Sequence, residues 1–378
     1  MPAASAGGPG KWTAITGKGP NTVEAGVART SDGRLHVAYH QKAGATAALR
    51  YARINKRGKA VAASTLESGW TTINPSVDLT HTPGNGKLHV FFSGIRSTVV
   101  GELFDRELAM KESDTGGSSW TPPIPASEDG DAAYIGAGIG AGADPRKAGA
   151  GTRVGAWGDS GANANGFNFG GLNATYNLAT VGVGIGMPEV VVDNQGRVYG
   201  AWQQINSGGK GIYARELTNT GPLSPVWHAP GSSANGRNSF RYQQERTALA
   251  GRAGKAGAWV AYGKGYPQTR KILLWRVGAN KAKAIVTGKR ARGAKHISIA
   301  TGRQGRLWIF WEKGGRYLVT RTNKKAAKAG RIRVVKPPKG WKSTHRLFGE
   351  GAAKRLDLFA HVGKKAATNR TFHTQVRL

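Results

Sequence analysis

The chain has 378 residues, 57 of them glycine and 11 tryptophan, with 39% hydrophobic residues and no cysteine. That composition suits many short strands joined by tight turns; it argues against global disorder and excludes disulfide staples and thiol nucleophiles. The formal net charge of +34 is lopsided: residues 1–190 carry 17 basic and 15 acidic side chains, residues 191–378 carry 38 and 6, so one half should hold a strong, salt-sensitive positive field.

In chain order, residues 1–10 (MPAASAGGPG) are small and neutral and read as a flexible N-terminus with no signal-peptide core. No run reaches the roughly 18–20 apolar residues of a membrane helix, so a soluble protein is expected. Residues 11–16 (KWTAIT) are strand-like. A Gly-basic turn followed by an alternating apolar strand ending in an aromatic then recurs. It reads GRLHVAY from Gly33, GKLHVFF from Gly86, TRVGAW from Thr152, GRVYGAW from Gly196, GAWVAY from Gly257, GRLWIFW from Gly305 and KRLDLFA from Lys354. The landmark aromatics are Tyr39, Phe92, Trp157, Trp202, Tyr262, Trp311 and Phe359, spaced about 53 residues apart on average.

Each copy has an apolar strand before its turn and a third strand after a polar loop, often with a weaker fourth. The pattern predicts an all-β, seven-bladed β-propeller of four-stranded antiparallel blades, one domain over residues 11–378. The blades fall at about 22–72, 73–125, 130–183, 186–230, 243–288, 294–337 and 343–378. The last copy lacks a fourth strand, and residues 11–16 are expected to supply it, closing the ring without a free edge. The third unit is irregular: its tract GAGIGAGADPRKAGAG, Gly136–Gly151, matches a dinucleotide fingerprint only superficially, because no helix follows. No cofactor is expected.

The segment Ser113–Trp120 (SDTGGSSW) resembles the Asp-box of sialidase-type repeat propellers. Ser113, Gly117, Ser119 and Trp120 fit its Ser-x-Asp-x-Gly-x-Thr-Trp pattern, while Thr115 stands where the Asp belongs. The repeats as a whole resemble the same superfamily. The resemblance implies a structural turn on the face opposite the active site, and it implies an exported, sugar-related protein. Sialidases of the family have six blades, three substrate-clamping arginines, a Tyr–Glu nucleophile pair and an Asp acid/base. Their Phe/Tyr-Arg-Ile-Pro segment has no counterpart here.

In a propeller, loops entering the first strand and leaving the second share one face. That rule nominates a ring of His40, Gln41, Arg96, Gln203, Gln204, Tyr266, Glu312 and His361 as ligand contacts, with Glu189, Arg346 and others entering the first strands. The densest polar cluster, residues 241–246, adds Tyr242, Glu245 and Arg246 as catalytic candidates, and Asp159, leaving the third repeat's second strand, is a further one. His36 and His89 occupy equivalent strand positions and read as packing. The nine histidines show no paired metal-ligand spacing. The basic tracts Lys289–Lys295 and Lys324–Lys342 sit in turns, carry no nucleic-acid-reading module and read as a solvated rim. The expectation is a secreted or envelope-associated bacterial protein whose signal peptide has been removed, with a cytoplasmic location as the alternative; it is monomeric by default and holds acidic polysaccharide or another polyanion. The alternative is a glycoside hydrolase or polysaccharide lyase working on an anionic glycan at the same face.

Overall fold

The computed structural model describes residues 11–19, 25–43, 45–73, 77–96, 106–125, 139–143, 145–146, 153–157, 165–169, 175–179, 185–204, 210–218, 221–222, 224–232, 247–265, 267–341, 343–363 and 368–378. Within these residues the chain is almost wholly β, with two short 3-10 turns at Gly288–Arg290 and Arg303–Gly305. No helix among the described residues is long and apolar enough to cross a membrane.

Every repeat is an antiparallel meander. In the first, second and fourth repeats the hairpin between first and second strands turns on glycine: Gly33, Gly86 and Gly196 sit at φ of +79°, +73° and +79°, a conformation that a Cβ disfavours. Asp or Asn side chains hold these turns: Asp193 Oδ1 accepts the amides of Gln195 at 2.8 Å and Arg197 at 3.0 Å, and Asn85 Oδ1 accepts the Lys87 amide at 3.0 Å. Second strands are buried on both faces because each sheet packs between two others. In Leu307–Lys313, five successive residues from Leu307 to Trp311 are buried. Full burial of each such large side chain contributes about 2–3 kcal/mol.

The sheets meet pairwise rather than around one central core. Trp259, Leu274, Ile299 and Trp311 pack one interface; Trp308, Phe310, Leu347 and Leu358 the next. Leu35 and Val37 pack on Phe348 and Phe359 where the last sheet meets the first. At that junction Thr13–Ala14 pairs antiparallel with Asn369–Arg377, and Trp12 Nε1 donates to the Lys336 carbonyl at 2.8 Å. Arg29 reaches across to Asp357 at 2.5 Å, so an ion pair also ties the last sheet to the first.

The expected seven-bladed count is corrected: among the described residues the strands form six hydrogen-bonded sheets, so the propeller has six blades and not seven. The first two repeats are one continuous eight-stranded sheet. Ala60–Ile73 is 14 residues long; its first part pairs with Thr46–Ile54, and its end pairs Trp70 with Arg96 and Ile73 with Gly94. Bulges in its pairing with Thr46–Ile54, and a left-handed Gly69 (φ +79°), bend this strand so that it serves both neighbours. Trp70 then packs edge-on against Phe92, ring centroids 5.2 Å apart, and seals the join. The repeat spacing, read from second strands, is blind to such pairing between consecutive units. Inner strands from both units of the fused sheet still face the central channel.

Candidate functional site in the central channel

The inner strands enclose a cavity of about 390 Å³. Its chemistry follows from one register position. The residue opposite the position just before each landmark aromatic is Gly26, Asp78, Gly140, Glu189, Ala248, Ser298 or Gly349. Five of the seven are Gly, Ala or Ser, and two are carboxylates that flank the Gly140 strand. Small residues are forced where inner strands crowd: a Cβ on Gly26 would lie 2.3 Å from the Leu79 nitrogen, and one on Gly140 2.7 Å from Glu189 Cα.

Both carboxylates rest on backbone amides. Asp78 Oδ1 accepts from Leu79 N at 2.8 Å, and its Oδ2 accepts from Ala141 N at 2.6 Å. Glu189 Oε1 accepts from Val190 N at 3.0 Å and lies 2.8 Å from where a Gly140 Cβ would stand. Because both touch the Gly140–Ala141 stretch, the carboxylates are no more than about 9 Å apart.

One step further along the channel lies Glu350, opposite Asp357 in register. Burial, opposed by Arg29 and reinforced by Asp357 and Asp78, pushes its carboxyl up to about 7. Asp357 goes the other way. Despite burial, hydrogen bonding and charge from His373, with Arg29 and Arg355, hold it down at about 2. Arg29, Arg252 and Arg346 also line the cavity, and Arg346 is buried. The channel therefore combines carboxyl and guanidinium groups, an arrangement able to hydrogen-bond hydroxyl-rich or carboxylate-bearing ligands.

Of the nominated ring residues, His40, Gln41, Gln203, Glu312 and His361 are not among the residues that line this cavity. His40 is buried, and the Gln41 amide lies 2.9 Å from the position of a Gly17 Cβ. Arg96 sits in the seam of the fused sheet. Gln203 is half-buried opposite Gly186 and Ile212, and Gln204 pairs with Ile185. Glu312 Oε1 accepts the Gly315 amide at 3.0 Å, and its Oε2 is 3.6 Å from His296 Nε2. His361 is buried, with Nδ1 3.1 Å from Thr371 Oγ1; burial first, then His345, pushes its pKa down to about 3. Tyr242, Glu245, Arg246, Asp159 and Tyr266 lie outside the described residues.

Of the residues entering first strands, Glu189 and Arg346 do line the cavity. Sequence reasoning missed Asp78, Glu350, Arg29 and Arg252. The available signal was an acid inside an otherwise apolar inner strand, as in the segment from Ser76 to Thr80 (SVDLT).

No family model and no curated protein sequence matches the chain. Solved structures match it along most of its length. A protein of unknown function from Dyadobacter fermentans aligns with a TM-score of 0.50 at 9% identity, covering 100% of both chains. The intramolecular trans-sialidase from Ruminococcus gnavus aligns at 0.49 and 10% identity, over 81% of this chain and 95% of its own. The Aleuria aurantia lectin, a six-bladed β-propeller with a novel fucose recognition mode, aligns at 0.47 and 10% identity, over 94% of this chain and 95% of its own. The neighbours are sialidase-like and other β-propellers, and at these identities the likeness is one of fold.

Proposed function

We propose that the chain is a glycan-binding β-propeller that works outside the cytoplasm, taking sugar units at the channel and holding anionic polymer on its basic C-terminal half. The observation that carries this reading is the channel layer itself. Asp78 and Glu189 stand among Gly, Ala and Ser residues in a cavity of about 390 Å³ that also admits Arg29 and Arg346. That volume lies at the small end of ligand sites, and the mixed carboxylate and guanidinium lining suits hydroxyl donors and acceptors. The 38 basic residues against 6 acidic in residues 191–378 supply the attraction for an acidic polymer.

A second reading, a glycoside hydrolase, is favoured by a separate observation. Asp78 and Glu189 are within about 9 Å, a bound that includes the separations used by retaining and inverting enzymes. Glu350, with its carboxyl near 7, has the protonation behaviour of a general acid.

One experiment addresses both. A panel of neutral and acidic polysaccharides is incubated with wild type, Asp78→Asn and Glu189→Gln, and binding and product release are recorded together. Binding without release, weakened by either substitution, supports the binding module. Release of new reducing ends that both substitutions abolish supports the hydrolase. Absence of binding and release across the panel at low salt overturns the channel reading.

A further inference from the structure

The turn after the inner strand Leu249–Arg252, the turn at Arg303–Gly305 and the turn after the third strand Arg316–Arg321 meet in an open groove of about 700 Å³. It is lined by Arg252, Lys255, Gln304, Lys324 and Lys325 with the backbone of Ala253 and Gly254. Four of its five side chains of any length are cationic and none is acidic. Among the described residues, no carboxylate forms an ion pair with Lys255, Lys324 or Lys325.

The groove is held in shape. Arg252 is buried; its Nε donates to the Gly305 carbonyl at 2.5 Å and its Nη2 to the Lys324 carbonyl, so one guanidinium fastens two separate turns. Its plane lies over Trp259, 4.7 Å from the ring centroid. Gly305 approaches so closely that a Cβ there would lie 3.1 Å from both Arg252 Nη2 and Lys255 Cγ. The turn bearing Lys324 and Lys325 is organised by Asn323, whose Oδ1 accepts the Ala327 amide at 2.9 Å. Gln304 and Ala326 sit at φ of +59° and +52°, left-handed conformations that non-glycine residues adopt at a cost. Fixing like charges beside one another in strained turns costs free energy that an anion would offset.

We propose that this groove binds a tetrahedral oxyanion, a sulfate or phosphate group carried on a polymer. The Lys255, Lys324 and Lys325 ammonium groups and the Gln304 amide would contact the oxygens, and Arg252 is the positioning residue that fixes the spacing of the turns. The proposal rests on the reading of the basic half as a polyanion surface and gives that surface a location. It is separate from the channel, with which it shares only Arg252 and Ala253.

The test uses the full chain and two charge-matched variants. Lys324→Ala/Lys325→Ala removes two cations from the groove; Lys281→Ala/Lys283→Ala removes two exposed cations elsewhere in the same half. Titration with inorganic sulfate and with inorganic phosphate should show saturable binding of at least one anion to wild type and control, weakened at least tenfold in the groove variant. Lys255→Ala, on a different turn, should weaken it in the same direction even if the double variant fails to fold. Preference for sulfate points to sulfated polymers, preference for phosphate to phosphorylated ones. No saturable binding of either anion, or equal weakening in groove and control variants, overturns the site. Salt elution from immobilised heparin and polyphosphate separates the two ideas. Wild type retained on neither sinks the polyanion surface. Retention with the same elution salt for groove and control variants leaves the surface standing and sinks the groove.

Discussion

The channel and the basic groove share Arg252 and Ala253, yet their electrostatics differ. In the channel, carboxyl and guanidinium groups occur together: Asp78 and Glu189 sit on backbone amides, and Arg29 donates to the Glu350 backbone carbonyl at 3.4 Å. In the groove, cations stand together without an acid. The scarcity of acids in the second half explains the difference. Residues 191–378 contain 6 acidic side chains; of the five described, four are committed to the framework and one faces the channel. Asp193 holds Arg197 and the Gly257 amide, Glu216 lies 3.9 Å from Arg197, and Glu312 caps Gly315. Glu350 faces the channel, and Asp357 gathers Arg29, Arg355, His373 and Gln375. The interior consumes most of the counter-charge, and the basic surface is left with little of it.

If that division holds, the largest effect should come from an interior acid. Asp357→Ala leaves Arg29, Arg355 and His373 clustered at the junction of the last and first sheets around a fully buried position. Removing one member of such a buried network costs about 3–5 kcal/mol. Urea unfolding of the variant should show the loss, and a change under about 1 kcal/mol would mean the junction is held by packing alone. Substituting an exposed lysine of the groove should leave the unfolding midpoint nearly unchanged.

The pH profile sharpens the same contrast. His361 and His36 have pKa values pushed below the usual 6.5, to about 3 and about 4, chiefly by burial. A depressed folded pKa means that the unfolded chain takes up the proton first. These groups contribute stability that is full above pH 6.5 and is lost as pH falls towards 4 and then 3. Asp357, depressed from 3.8 to about 2, adds a further loss over that lower interval. Glu350 has the opposite sign. Its carboxyl is raised from 4.5 to about 7, so its contribution is full below pH 4.5 and is lost as pH rises through 7. Glu350→Gln should therefore raise the urea midpoint relative to wild type at pH 8 and leave it unchanged at pH 4. His361→Gln should flatten the slope between pH 6.5 and 4. Parallel profiles for wild type and variants would remove these groups from the account.

Next in size is the crowding that forces small residues into the channel layer. Gly140→Ala would place a methyl 2.7 Å from Glu189 Cα and 2.8 Å from its Oε1. A backbone contact cannot swing aside, so the strand must shift, at about 1–3 kcal/mol. Glycan affinity should fall with it, because Glu189 moves. Unaltered affinity in a folded Gly140→Ala protein would place the ligand elsewhere.

How much of this was legible follows from the kind of signal each feature leaves. The Gly-basic turn and the terminal aromatic are local, and they located the second strands from Tyr39 to Phe359. The join between the first two repeats is not local: it depends on Trp70–Ile73 reaching past its own unit to pair with Gly94–Arg96. Strand-end rules nominated His40 and His361 as surface contacts, but in tightly stacked sheets even strand ends are clamped, and both are buried. The channel layer becomes readable only when each landmark is traced across its hairpin to the inner-strand partner. Asp78 then emerges at the same position as Glu189.

The smallest expected effect concerns the turn at Ser113–Trp120, where the resemblance to a known repeat family was carried by an imperfect motif. The folded turn accounts for the imperfection. Ser113 Oγ accepts the Gly117 amide at 2.9 Å, and Thr115 Oγ1, standing where the family pattern has Asp, accepts the Ser119 amide at 2.8 Å. A hydroxyl supplies the acceptor that a carboxylate would supply. Gly117 is left-handed (φ +83°) against the Tyr51 ring, on which Trp120 packs edge-on at 5.3 Å. Thr115→Ala should cost about 1 kcal/mol, the worth of one such bond, while Thr115→Asp should retain stability because the acceptor is preserved. The turn is remote in function from the groove, so neither substitution should alter anion binding there. A loss of stability in Thr115→Asp as large as in Thr115→Ala would show that the threonine methyl, and not its oxygen, holds the turn.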